Sequence, residues 1–229
     1  QINLEVCPYT TDIDKLLVLK KQGVNRLSFG VQTLNKNVLE RLNRPQNEEQ
    51  VLRIIKKARE IGISNISVDL IAGLPGETNN SFISSLNKIL KFKPESIHIN
   101  PFLNPPQSML FVRGLRMNLD MNKKVAKLEK YANKIIRKCG YFELGEDLVL
   151  TKDAINLQCY LQYKYCGSLL GLGFGSSSFI NTHYLYRSAD IEQYTKIYSC
   201  RNKRYSYKTL RYKMDTRSSF ICYLVFNRY

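Results

Sequence analysis

The sequence predicts an α/β fold built on parallel strands, and three observations predict it. Short apolar runs alternate with helix-period runs through about residue 150. Two of those runs, Asn25–Gln32 (NRLSFGVQ) and Ser67–Thr78 (SVDLIAGLPGET), pass from apolar to polar and glycine residues at their carboxyl ends and lead into helical stretches. Gly23, Gly62 and Gly140 each stop a helical pattern. In a parallel α/β protein the carboxyl ends of the strands carry the active site. Gln32, Asp69 and the Gly73–Thr78 loop therefore stand where chemistry is expected.

The elements follow in order. Ile2–Val6 reads as a strand and Asp12–Gln22 as a helix whose apolar face holds Leu16, Leu17 and Leu19. Arg26–Val31 is the second strand, Asn37–Leu42 a short helix, and Asn47–Ile61 a longer one with Val51, Ile54, Ile55, Ala58 and Ile61 at helical spacing. Ile66–Ala72 is the third strand, Asn80–Leu90 a helix, and Ser96–Phe102 the fourth strand, where Pro101, Pro105 and Pro106 force a loop. Asn122–Cys139 is a helix with Val125, Leu128, Tyr131, Ile135 and Ile136 on one side, and Phe142–Leu144 is a fifth strand. Beyond residue 150 the pattern weakens to a glycine-serine loop, Leu169–Ser178, a short helix, Ile191–Tyr198, and an apolar stretch, Phe220–Phe226. An open doubly wound sheet and a barrel both fit a β-α repeat. Five strands are too few for a closed eightfold barrel of ~250 residues, so a partial barrel fits better. The expected division is a partial barrel over residues 1–180 and a flanking segment over 181–229.

The chain has 229 residues, 44% hydrophobic and 24% charged, enough for a sizeable core. No apolar run approaches the ~18 residues of a membrane span. The chain opens directly on a strand without a signal peptide or an initiator Met, which reads as a cytoplasmic protein and a piece of a longer reading frame. The net charge is +16, and Arg201–Lys213 holds six basic residues and no acid, interleaved with Tyr205, Tyr207 and Tyr212. A polyanion would suit that segment. Without an accompanying nucleic-acid motif it reads as a solvated edge, and nucleic acid is not the expected partner. The six cysteines (Cys7, Cys139, Cys159, Cys166, Cys200 and Cys222) form no C-x-x-C pair and no zinc or disulfide pattern. Cys139 and Cys222 lie in apolar surroundings and read as buried hydrophobes.

Asp69 lies inside an apolar strand, where a carboxylate is costly unless paired. It either neutralises a core cation such as Arg26 or accepts hydrogen bonds from a ligand's hydroxyls, and Glu5 has the same two readings. Arg44 is a surface residue or a planar fork for a carboxylate or phosphate. The Gly73–Thr78 loop offers backbone N–H groups at a helix start, but it lacks the Gly-Lys-Ser/Thr of a phosphate loop. His98 reads as a core or barrel-lining residue, and His183 lies in a loop.

Taken in order, Leu4–Pro8, Gly23–Gln32, Leu42–Arg44, Asp69–Thr78 and Gly171–Ser177 resemble the radical SAM proteins of the oxygen-independent coproporphyrinogen III oxidase and haem chaperone group. The resemblance implies a partial radical SAM (β/α)6-type barrel lacking its first strands, followed by the start of a carboxyl-terminal domain. It implies S-adenosyl-L-methionine and a [4Fe–4S] cluster as cofactors. The 5′-deoxyadenosyl radical they generate takes hydrogen from propionates, which decarboxylate to vinyl groups. It also implies a tetrapyrrole substrate or haem as partner, and an electron donor. The group's S-adenosylmethionine contacts carry over to Glu5, Gln32, Arg44 and Asp69, with the Gly171–Ser177 loop, including Ser177, beside the adenosine. No residue is assigned a catalytic role, and none a metal. The group's C-x3-C-x2-C cluster motif is absent from these residues, so this chain alone is expected to be inactive. Asn156–Cys159 stands where the chaperone branch has a Cys-Arg-His-Asn stretch and holds no histidine, so the residues leave the branch open, and a haem chaperone without oxidase activity is the alternative reading.

Overall fold

The computed structural model describes residues 1–103, 114, 119–144, 147–151, 154, 168–173, 175–180, 183–186, 190–192, 195–196 and 212–213. The chain divides into two compact units, Gln1–Ile155 and Asn156–Tyr229. The strands around Ser177 pair with one another in a sheet of their own.

The first unit alternates strand and helix. Its elements are β1 (Asn3–Val6), α1 (Ile13–Lys21), β2 (Arg26–Gln32), α2 (Lys36–Arg41), α3 (Glu48–Glu60), β3 (Asn65–Ala72), α4 (Asn79–Lys91), β4 (Ser96–Pro101), α5 (Leu119–Lys138), β5 (Phe142–Leu144) and β6 (Asp147–Val149). Each of the first four helices starts where a side chain caps it. Asp12, Asn35, Asn47 and Thr78 accept from the backbone N–H three residues on, satisfying donors that the helix cannot. Thr78 and Ser81 close a reciprocal capping box that fixes the end of the β3–α4 loop.

One six-stranded sheet runs β1-β2-β3-β4-β6-β5. The first four strands are parallel, in the register Glu5↔Ser28↔Ser67↔Ser96 and Gly30↔Asp69↔His98. The fifth strand departs from the expected repeat. Phe142–Leu144 is a strand, but β6 lies between it and β4, and both pairings are antiparallel. Only Gly145 and Glu146 separate two short apolar runs, which is a hairpin signal in the sequence.

Side chains alternate across a strand, so the sheet has two unlike faces. Leu27, Phe29, Val31, Ile66, Val68, Leu70 and Ile97 are fully buried on one face, in a core completed by Val51, Ile55, Ala58, Phe82, Leu86 and Ile136 of the helices. The other face carries Asn3, Glu5, Arg26, Ser28, Asn65, Ser67, Asp69, Ser96 and His98. A parallel sheet buried wholly in apolar contacts would read as hydrophobic at every position. The polar face of this sheet departs from that pattern.

Three expectations change at the helices. In α1 only Leu16 is fully buried, and Leu17 is exposed, since the next residue on a helix lies about 100° round. In α5 the buried stripe is Val125, Leu128, Ala132 and Ile136, so Ala132 takes the core place expected of Tyr131, which is exposed. Cys139 is exposed rather than buried, because α5 ends at Lys138 and Cys139 lies in the turn that follows. On the helix side, a groove of about 790 Å3 between α4 and α5 is lined by Lys88, Lys91, Lys124, Lys127 and Tyr131. Among the described residues no helix is long and apolar enough to cross a membrane.

The second unit holds an antiparallel sheet of β7 (Ser177–Ile180), β8 (His183–Tyr186) and β9 (Tyr212–Lys213) in that order. Residues 191–192 and 195–196 are helical, within the helix expected at Ile191–Tyr198. The Arg201–Lys213 segment apart from Tyr212 and Lys213, the Asn156–Cys159 stretch, Phe220–Phe226, Cys166, Cys200 and Cys222 lie outside the described residues.

Candidate functional site

The carboxyl end of β2 sets the geometry of the site. Its register with β3 breaks between Gly30 and Gln32, and Gln32 has a φ of 67°. Thr33 N–H donates to the Val31 carbonyl at 2.8 Å across it, closing a three-residue turn. The turn folds the Gln32 side chain back over Gly30. A Cβ at Gly30 would stand 3.0 Å from Gln32 Nε2, so this glycine is what lets the amide lie there. Gln32 Oε1 is buried and has no hydrogen-bond partner.

Arg44 comes to the same place from the α2–α3 connection. Its Nη2 donates to the Gly30 carbonyl at 2.9 Å, with Cys7 Sγ and Gln46 Oε1 each at 3.4 Å. Gln46 is buried and donates to the Val31 carbonyl at 2.7 Å. Arg44 is thus half-buried and pinned to the strand end rather than free at the surface, and its buried Nε has no partner. A buried donor and a buried acceptor left unpaired within one strand end are costly, and a polar ligand would satisfy both.

Asp69 stands opposite Gly30 in β3 and accepts from Ser28 Oγ at 3.0 Å. Burial raises its pKa above the ordinary carboxylate value; the Ser28 hydrogen bond and the charges of His98 and Arg26 oppose the rise, and Glu5 adds to it. The alternative partner, Arg26, is nearly fully buried and donates instead to Asn3 Oδ1 at 2.8 Å and Ser96 Oγ at 3.3 Å. Glu5 lies on β1 with its residue exposed, opposite Ser28. The structure therefore brings Glu5, Gln32, Arg44 and Asp69 onto one polar face at the ends of three adjacent strands and the connection after α2. Ser177 begins β7 in the second unit.

Sequence reasoning missed Ser28, Thr33, Gln46 and Glu77. Thr33 is fully buried, and its hydroxyl donates to Glu77 Oε1 at 2.5 Å. Glu77 belongs to the Gly73–Thr78 loop, where burial pushes its carboxyl up to about 7 against the Thr33 hydrogen bond. The sequence signal for Ser28, a polar residue at period two from Arg26, was available; Glu77 lies in the Gly73–Thr78 loop that the sequence singled out, but nothing local marked its bond to Thr33.

Residues 1–89 match the sequence profile of the radical SAM superfamily. The chain's relatives there are of two kinds. It is 30% identical over 207 residues to the oxygen-independent coproporphyrinogen III oxidase of Escherichia coli strain K12, covering 85% of this chain and 45% of the relative. It is 38% identical over 108 residues to the heme chaperone HemW of Bacillus subtilis strain 168, covering 47% of this chain and 28% of the relative. The solved Escherichia coli coproporphyrinogen III oxidase, a radical SAM enzyme, matches with a TM-score of 0.78 at 24% identity, over 99% of this chain and 55% of that one. The fold is thus the radical SAM fold. The chain spans about half the length, or less, of the relatives it matches. Members of the superfamily use S-adenosylmethionine and a [4Fe–4S] cluster.

The residues present fit the first of these cofactors. An unpaired amide oxygen, an unpaired guanidinium N–H and two carboxylates on one face suit a ligand bearing hydroxyls, a carboxylate and an ammonium. The described residues offer no ligand set for the second. Cys7 and Cys139 are free thiols, and among the described residues no three His, Cys, Asp or Glu side chains group to hold a metal.

Gly30→Ala is the sharpest test of the packed amide. The added methyl meets the end of a flexible side chain, so Gln32 is displaced while the strand remains. The expected result is a roughly tenfold loss of ligand affinity with little change in the urea midpoint. A matching loss of stability would mean that Gly30 serves the strand alone.

Proposed function

We propose that this chain is the S-adenosylmethionine-binding portion of a radical SAM oxidoreductase acting on the propionates of a tetrapyrrole, as coproporphyrinogen III oxidases do. The observation that carries this reading is the pair of buried unpaired atoms, Gln32 Oε1 and Arg44 Nε, beside Asp69 at the strand ends. When bound, S-adenosylmethionine supplies a hydrogen-abstracting radical on one-electron reduction. The chain's own residues bind and orient it. Arg44 would grip the methionine carboxylate, which its fork geometry suits. Glu5 would face the ammonium. Asp69 and Gln32 would accept from the ribose hydroxyls, fixing the adenosyl group against rotation. Burial of Asp69 strengthens each of those hydrogen bonds by excluding water.

Calorimetry of the 229-residue chain with S-adenosylmethionine and with adenosine checks this. Binding of the first and weak or no binding of the second is the expected outcome. With no three-thiolate site among the described residues, the chain is expected to bind S-adenosylmethionine without cleaving it. Release of 5′-deoxyadenosine by the anaerobically reconstituted chain would overturn that expectation.

A haem chaperone is the second reading, favoured by the likeness to heme chaperone HemW. A Soret band on mixing with haem, in a chain that binds S-adenosylmethionine poorly, would favour it.

A further inference from the structure

Gln32 is held in a backbone conformation that residues with a Cβ adopt rarely. Such a conformation persists only where the surroundings over-determine it. What holds it lies one residue on. The Thr33 hydroxyl accepts from Asn35 N–H at 3.1 Å and donates to Glu77 Oε1 at 2.5 Å. Ser85 of α4 accepts the next amide, Leu34 N–H, at 3.1 Å. Glu77 reaches this place from the β3–α4 loop, where its own N–H donates to the Leu74 carbonyl at 3.0 Å. Its second oxygen, Oε2, is buried and unpaired. No ligand contact proposed above involves Glu77.

We propose that Glu77 is a positioning residue whose carboxylate, acting through the Thr33 hydroxyl, holds Gln32 in the turned backbone that lays its amide over Gly30. The inference rests on the proposed site only for its effect on ligand; the relay itself is tested without one. The ionised carboxyl makes a charge-assisted bond to Thr33, and the neutral one a weaker bond. Burial, opposed by that bond, puts the change near pH 7. Among the described residues, a charged side chain beside this loop is Arg41, whose guanidinium lies against Gly76 and whose residue is exposed. The orientation of Gln32 therefore follows the ionisation of Glu77.

The experiment is a pH titration of the isotopically labelled 229-residue chain, read at the Gln32 side-chain amide. In the wild type that resonance should move with a midpoint near 7. It should stay fixed in Glu77→Gln, which keeps an acceptor for Thr33 but does not titrate. It should also stay fixed in Thr33→Val, and Thr33→Ser should restore the movement. A Gln32 amide that does not titrate in the wild type, or that titrates equally in Thr33→Val, overturns the relay. Calorimetry with S-adenosylmethionine adds the second arm. Affinity is expected to be about fivefold higher at pH 8 than at pH 6, a coupling of ordinary size, and Glu77→Gln should lose that difference. Wild-type binding whose pH dependence survives in Glu77→Gln overturns the effect on ligand. A titrating Gln32 amide with no binding at either pH sustains the relay and overturns the site reading instead.

Discussion

Asp69→Asn is expected to weaken S-adenosylmethionine binding by about 10- to 100-fold while leaving the fold as stable as before or more so. The loss corresponds to hydrogen bonds from ligand hydroxyls to a charged acceptor, about 1.5–3 kcal/mol. The gain in stability has a separate cause. Burial raises the Asp69 carboxyl in the folded state, and a carboxyl so raised stabilises the fold only while it is protonated. Its contribution is complete below the ordinary value of 3.8 and is lost as pH rises through the raised one. Asparagine has no charge to bury and still offers Oδ1 to Ser28. The excess stability of Asp69→Asn should therefore grow from pH 4 to pH 7, read as the difference in urea midpoints. Unchanged affinity would remove Asp69 from the site. A destabilised variant would mean that Asp69 is a structural anchor for Ser28.

Gly73→Ala carries the largest expected effect on stability. Gly73 opens the β3–α4 loop with a φ of 86°, and a Cβ there would stand 2.3 Å from Val125 Cγ2 of α5. The left-handed backbone costs a side chain roughly 1–2 kcal/mol, and overpacking against a core valine adds roughly 1–3 kcal/mol. The total is on the order of 2–5 kcal/mol, a large part of the stability of an ordinary domain. The two causes separate in a double-mutant cycle with Val125→Ala, which makes room for the methyl but leaves the backbone strain. Coupling close to zero would show that α5 moves aside at no cost.

The order of elements through residue 138 is legible in the sequence because each carries a local signal. Caps, glycine stops and periodicity act within a few residues, and Asp12, Asn47, Gly62 and Val51–Ala58 act so in the structure. The types of residue at the site are legible for a similar reason. A carboxylate within Ile66–Ala72 conflicts with its neighbours, and that conflict marks it before any fold is known. Tyr131 and Leu17 were misplaced because apolar residues at neighbouring helical positions compete for one buried stripe, and only the facing sheet decides between them.

What the sequence by itself determined is the set of strands and helices through residue 144, the strand ends that hold polar residues, and the resemblance to the radical SAM proteins. What only the tertiary structure decided is how those residues meet. The entry of β6 between β4 and β5, the turn that lays Gln32 over Gly30, the docking of Arg44 on the Gly30 carbonyl and the bond from Thr33 to Glu77 are such cases. Arg44 reaches back 14 residues, Ser28 reaches Asp69 across 41, and Thr33 reaches Glu77 across 44. Local propensity acts over a few residues of chain. These contacts exist because parallel pairing brings strand ends side by side, and the buried polar atoms there must then find partners in one another or in a ligand.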